Sequence, residues 1–162
     1  MKIFNMLKPA FFALLFICLT TSLSAQIVKG KLGYVIDGDS FYMTQENGRT
    51  LRVRVYGVDS PEIDQAFGPE SKEFLNEYLK DKALTLSPTG TDKLGRTVGV
   101  VTVEDKDLAE EMLRSGHSWH YKKYSQEAKL AQLETEAKAK KLGLWKDPAA
   151  QAPWQFRNQQ GK

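Results

Sequence analysis

The run Leu51-Arg52-Val53-Arg54-Val55-Tyr56-Gly57-Val58-Asp59-Ser60-Pro61-Glu62 constrains this chain more than any other stretch. Leu51, Val53 and Val55 alternate with Arg52 and Arg54, which is the two-residue period of a strand with one apolar and one charged face. The strand then meets a proline-marked turn that brings the carboxylates of Asp59 and Glu62 near its end.

Two further segments carry matching chemistry. Asp37-Gly38-Asp39-Ser40 lies upstream, and Asp92-Lys93-Leu94-Gly95-Arg96 lies downstream. Each is ordinary alone: Asp-Gly-Asp is a common turn, and a strand-borne arginine is commonly just a surface charge. Together they offer carboxylate oxygens, which suit Ca²⁺ or Mg²⁺, and guanidiniums, whose planar fork matches phosphate oxygens. Zinc is a poor fit, because the chain has one cysteine, Cys18 near its N-terminus, and two histidines, His117 and His120. The combination is the equipment of a metal-dependent phosphodiesterase.

The periodicity predicts strands at Ile27–Ile36, Ser40–Thr44, Arg49–Val58, Ala83–Ser87 and Thr97–Val103, with Asn47-Gly48 as a hairpin turn. Phe74, Leu75, Tyr78 and Leu79 recur at helical spacing after Pro69. Asp107-Leu108-Ala109-Glu110 has the form of a helix N-terminus, with Gly116 as its stop. Ser125 is the expected cap of a longer helix to about Lys141, with an apolar stripe of Leu130, Leu133 and Ala137 and solvated faces of Lys and Glu. The fold class is therefore α+β: a five-stranded OB-type β-barrel with about three helices. Strand count alone leaves SH3-like barrels and other small α+β folds open.

Residues 1–25 read as a cleaved signal peptide. Lys2 and Lys8 precede the apolar run Phe11–Leu19, which is short for a membrane span, and small residues follow at Ser22, Ser24 and Ala25. An uncleaved anchor is the alternative. Removal takes away Cys18 and both lysines, leaving a disulfide-free remainder of net charge about +1 where the whole chain carries +3. A nucleic-acid partner must then rest on local clusters, Lys122-Lys123 and Lys138-Lys140-Lys141, rather than on net charge. The expected organisation is a leader over 1–25, one domain over 26–146 and a tail over 147–162, in which Trp154 and Phe156 are placed to dock on the domain.

The three motifs identify the chain, by resemblance, with the thermonuclease family, the staphylococcal-nuclease-like OB-fold nucleases. Val35–Ser40 resembles the family's first motif, Arg54–Glu62 its second and Asp92–Arg96 its third, and Gly143-Leu144-Trp145 is similar to its closing signature. The resemblance covers approximately Val28 to Trp145. It implies that Arg54, Glu62 and Arg96 are catalytic, that Asp39 and Asp59 bind Ca²⁺ through carboxylates, and that Ser60 adds its backbone carbonyl. Lys93, Tyr121 and Tyr124 are the expected substrate-binding residues; stacking on a base and packing in the core are both open to the tyrosines. Leu94 departs from the tyrosine of some relatives. The implied activity is calcium-dependent hydrolysis of DNA and RNA, single strands preferred, giving 3′-phosphorylated products.

The leader pattern sets the expected location as secreted or periplasmic, without stable membrane association once it is removed, and the expected state is a monomer. Two other classes compete. One is a catalytically silent OB module that binds nucleic acid or protein. The other is a glycan-acting enzyme with Asp59 and Glu62 as paired carboxylates, for which the two arginines would be poorly explained.

Overall fold

The computed structural model describes residues 27–161, so the expected leader over 1–25 lies outside the described residues. The strands β1 (Val28–Val35), β2 (Ser40–Gln45) and β3 (Thr50–Val55) form an antiparallel meander. β1 also pairs with β5 (Ala83–Thr91), which pairs with β6 (Thr97–Val103). A parallel pairing of β6 with β3 closes the ring into a five-stranded barrel. Closure leaves no open edge between these strands. Its interior is filled by Phe41, Met43, Val53, Val55, Leu84, Leu86, Val101 and Val103, all fully or almost fully buried.

The expected strand Arg49–Val58 is two elements. β3 ends at Val55, and a two-residue β4 (Val58–Asp59) follows a turn. Gly57 makes this turn with φ +81°, a backbone conformation that glycine adopts without strain. β4 then pairs with β8 (Trp119–His120), setting Asp59 opposite Trp119. The strand predicted to end at Ser87 runs on to Thr91, with a register shift between Pro88 and Gly90 where proline supplies no N–H. A short β7 (Lys106–Asp107) completes the sheet.

Among the described residues four α-helices pack around the barrel, where about three were expected. α1 (Gly68–Leu79) buries Leu75 and Leu79, with Phe74 and Tyr78 partly buried beside them. α2 (Leu108–Arg114) starts where predicted: the Asp107 carboxylate accepts from the N–H groups of Ala109 (2.7 Å) and Glu110 (3.2 Å). α3 (Ala128–Ala139) begins later than predicted, because Ser125 is buried in the preceding turn and Glu127 takes the N-cap position. Its apolar stripe holds, but one Glu on the supposedly solvated face does not. Glu134 is buried, accepting from the His120 N–H (3.0 Å) and pairing with Lys138 (3.1 Å). A 3₁₀ turn (Gly143–Lys146) leads to α4 (Pro153–Gln159), a helix within the segment read as a tail.

Candidate active site

Asp39 sits in the turn between β1 and β2, nearly fully buried. The preceding Gly38 packs so closely that a Cβ there would lie 2.6 Å from Ser60 Cβ and 2.8 Å from Ser71 Cβ. Only glycine lets the turn approach this far, and the approach presses Asp39 against the start of the Ser60 loop. Asp39 Oδ2 accepts from the Ser60 N–H (2.7 Å), and Oδ1 accepts from Ser40 Oγ (3.1 Å). The Asp39 carbonyl accepts from the Val55 N–H (3.0 Å), fastening the turn to β3.

Barrel register brings Arg54 to the same place. In the β2–β3 ladder Arg54 lies opposite Ser40, one residue from Asp39. Its Nη1 pairs with Asp39 Oδ1, and its Nη2 donates to Asp59 Oδ1 (2.8 Å) and to the Val58 carbonyl (3.2 Å). Arg54 is thus clamped between two buried carboxylates rather than projecting alone. Arg96 leaves the tight β5–β6 turn, whose Asp92 carboxylate accepts from the N–H groups of Leu94 and Arg96 and from Arg96 Nε (2.6 Å). Burial works to raise the Asp92 pKa, but these hydrogen bonds and the Arg96 charge outweigh it and hold it below the usual carboxylate range. Arg96 Nη1 reaches Ser40 Oγ at 3.0 Å. A continuous chain therefore runs Asp92, Arg96, Ser40, Asp39, Arg54, Asp59.

Glu62 stands just past β4 and is about a third exposed, its side chain at 32%. Its loop is closed by Gln65, which donates its N–H to the Glu62 carbonyl (2.9 Å) and accepts from the Glu62 N–H through Oε1 (3.1 Å). Ser60 is buried, and its hydroxyl lies 2.6 Å from that of Ser118.

One site residue was missed from the sequence. Arg157, on α4, extends the chain of charges: Nη2 donates to Asp59 Oδ2 (2.7 Å), and Nη1 to Asp59 Oδ1 (3.2 Å) and Glu62 Oε1 (2.6 Å). Burial opposes its charge, but the hydrogen bonds and charges of Asp59 and Glu62 win and raise its pKa above the ordinary arginine value. The local signals were Pro153, a residue favoured in the first turn of a helix, and the apolar Trp154 and Phe156 expected to dock on the domain; neither points to Arg157 itself.

The expected substrate-binding residues are spread more widely. Lys93 and Leu94 are exposed at the tip of the β5–β6 turn. Tyr124 is 62% exposed, and Tyr121 is half-buried, stacked on Trp154 of α4 with ring centres 5.6 Å apart at 9°. Neither tyrosine belongs to the barrel core. Beside them a cavity of about 500 Å³ is lined by Tyr121, Lys122, Lys123, Lys138, Trp154 and Arg157. Basic heads around aromatic faces suit a nucleotide chain.

His117 and His120 are packed inward. His117 stacks on Phe74 (4.1 Å, 10°), and burial pushes its pKa down to about 4. Among the described residues no three His, Cys, Asp or Glu side chains are grouped to hold a metal ion. The pair Asp39 and Asp59 nonetheless fits a hard cation in its donor chemistry. Both carboxylates are buried, both engage one guanidinium, and both present only oxygen. Such a site would draw its remaining ligands from backbone oxygen, water and substrate.

A closed five-stranded barrel of OB type with a chain of acids and guanidiniums at one place on its surface defines the class. The family model described as staphylococcal nuclease homologue matches residues 52–147. The chain is 32% identical over 149 residues to an uncharacterized endonuclease of Haemophilus influenzae, covering 92% of this chain and 81% of that protein. It is 31% identical over 140 residues to a micrococcal nuclease of Shigella flexneri, covering 80% of each. It is also 35% identical over 118 residues to the staphylococcal-like nuclease CAN1 of Arabidopsis thaliana, covering 73% of this chain but only 36% of that protein. The chain belongs to the family of staphylococcal nuclease homologues.

Proposed function

We propose that this protein is an exported, calcium-dependent nuclease that hydrolyses phosphodiester bonds in DNA and RNA, single strands preferred, and leaves 3′-phosphorylated products. The observation that carries the reading is the clustering of Asp39, Arg54, Asp59, Glu62 and Arg96, drawn from three separated segments. The names of the relatives support the same reaction class.

Asp39, Asp59 and the backbone carbonyl of Ser60 would hold the calcium ion, which when bound supplies positive charge to the scissile phosphate. Arg54 and Arg96 offer their forks to the non-bridging oxygens, where negative charge builds as water adds. Glu62 orients the water and takes its proton. For a 3′-phosphate the bond to the 5′ oxygen breaks, and that oxygen gains a proton from solvent. Arginine, with its very high pKa, acts by charge rather than as a proton donor. Tyr121, Tyr124 and Lys93 would contact the flanking nucleotides.

Export is supported by the leader pattern of residues 1–25, and no helix among the described residues is long and apolar enough to cross a membrane. We take the working protein to be a monomer in the periplasm or the external medium.

The test is release of acid-soluble nucleotides from denatured DNA and from RNA with Ca²⁺, Mg²⁺ or chelator, followed by analysis of the product ends. Calcium-dependent release with 3′-phosphate ends is expected. In Glu62→Gln, which keeps the shape and removes the base, turnover should fall by about 10²–10⁴. Binding of DNA without release under any metal would instead make the protein a silent binding module.

A further inference from the structure

The arginine missed from the sequence stands where a metal-dependent enzyme would need open oxygens. Arg157 uses both carboxylate oxygens of Asp59 and one of Glu62. In this arrangement each Asp59 oxygen already faces a guanidinium, Oδ2 that of Arg157 and Oδ1 those of Arg157 and Arg54, so positive charge stands where a cation would. At Glu62 the guanidinium holds Oε1 at 2.6 Å, so the carboxylate that would face the attacking water is oriented toward Arg157 through one of its two oxygens.

The helix that delivers Arg157 is short. α4 is seven residues long and has no side-chain cap at its N-terminus. Its further attachments include the stack of Trp154 on Tyr121, an edge contact of Trp154 with Trp119 (5.7 Å, 76°), a weak contact of Gln160 with Asp64 (3.5 Å), and the burial of Pro153 at its start. Gln65 pins the chain just before α4 by donating to the Gln151 carbonyl (2.7 Å). That leaves a fixed point from which the helix can swing. The stretch also lies outside the family match, which ends at residue 147.

Resting on the nuclease reading, we propose that α4 is an autoinhibitory strap. Arg157 is its built-in cation, competing with the metal ion for Asp59 and with the attacking water for Glu62. Metal and nucleic acid open the site by displacing it. Charge makes the competition direct. Asp39, Asp59 and Glu62 carry three negative charges against the two positive charges of Arg54 and Arg157, so losing Arg157 leaves the carboxylates with a larger unmet demand for a cation. Trp154 adds to the block in the same movement, because it covers one face of Tyr121. A strap closed in all but one molecule in about ten to a hundred weakens apparent metal affinity by that same factor.

The experiment titrates Ca²⁺ calorimetrically into the full chain, without nucleic acid, for the native protein, Arg157→Lys and Arg157→Gln. Circular dichroism melts establish that each is folded. Hydrogen exchange of the native protein with and without saturating Ca²⁺ follows the α4 amides independently of any variant. Arg157→Gln is expected to bind calcium at least about tenfold tighter, Arg157→Lys to fall between, and the α4 amides to exchange faster when calcium is present. Equal or weaker binding by Arg157→Gln, or α4 protection unmoved by saturating calcium, overturns the strap. If that happens while calcium-dependent nucleotide release persists, the strap alone has failed. If no form binds calcium and none releases nucleotides, the nuclease reading has failed and the strap with it.

Discussion

The acidic cluster is held from two sides in two different ways. On the barrel side Asp39, Ser40 and Arg54 stand on neighbouring paired strands or the turn between them, and ladder register fixes their separation. On the C-terminal side Arg157 arrives on a seven-residue helix fastened by side-chain contacts, 98 residues in sequence from Asp59. Both sides place a guanidinium on Asp59 at hydrogen-bond distance, 2.8 Å from Arg54 and 2.7 Å from Arg157. The difference lies in what must break to move each one. Arg54 moves only if the barrel opens, a global event, whereas Arg157 moves if α4 undocks, a local one.

The largest effect that would sharpen this comparison is expected from Arg54→Ala. Asp39 and Asp59 are 3% and 1% exposed, so the variant leaves buried carboxylates short of a partner. Breaking a buried pair from one side costs about 3–5 kcal/mol; Arg157 still compensates Asp59, which points to the lower end. The melting temperature should drop by roughly 6–12 °C, and turnover should fall by about 10²–10³ or more through loss of charge stabilisation. Arg54→Lys separates the two losses, since it keeps the charge but not the fork. If Arg54→Ala melts like the native protein, the barrel side is no more tightly built than the strap.

A smaller effect tests the body of the domain through pH. His117 packs against α1, its ring on Phe74 and its carbonyl accepting from Ser71 Oγ (2.8 Å), with Nδ1 2.9 Å from Ser115 Oγ. Burial lowers its folded pKa to about 4, below the unfolded value of 6.5. The unfolded chain therefore binds the proton first. Stability from the neutral imidazole is complete above pH 6.5 and is lost as pH falls toward 4. Partial solvent access reduces the expected loss to about 1–2 kcal/mol. Melting temperature measured between pH 7 and 4 should fall less steeply in His117→Gln, and parallel slopes would show that other groups set the acid limit.

How much of this was legible in the sequence follows the same division. Arg54, Asp39, Asp59 and Glu62 could be singled out as candidates, and their proximity anticipated, because alternation, turn residues and motif spacing are local signals. The Asp107 cap and the α3 stripe of Leu130, Leu133 and Ala137 were legible for the same reason. What stayed hidden depended on distant partners. Glu134 looks like surface charge until the His120 N–H and Lys138 are brought beside it. The break between β3 and β4 depends on the pairing of Val58 and Asp59 with Trp119 and His120, which the alternating pattern does not announce. Arg157 is the extreme case. Nothing near Trp154-Gln155-Phe156 states that the next residue meets Asp59 and Glu62.

The smallest stability effect is expected from Trp154→Ala, and its smallness is what would be informative. The stack on Tyr121 and the edge contact with Trp119 are the main aromatic attachment of α4. An aromatic pair contributes about 0.5–1.5 kcal/mol beyond its area. If α4 opens locally, that loss is felt by the opening equilibrium of the helix and hardly at all by global unfolding. The α4 amides should then exchange about fivefold faster, the effect of roughly 1 kcal/mol, while the melting temperature moves by no more than about 2–4 °C. A drop as large as that of Arg54→Ala would mean that α4 and the barrel unfold as one unit. The converse pattern, fast exchange in α4 over an unchanged barrel, is what a strap able to yield to a metal ion requires.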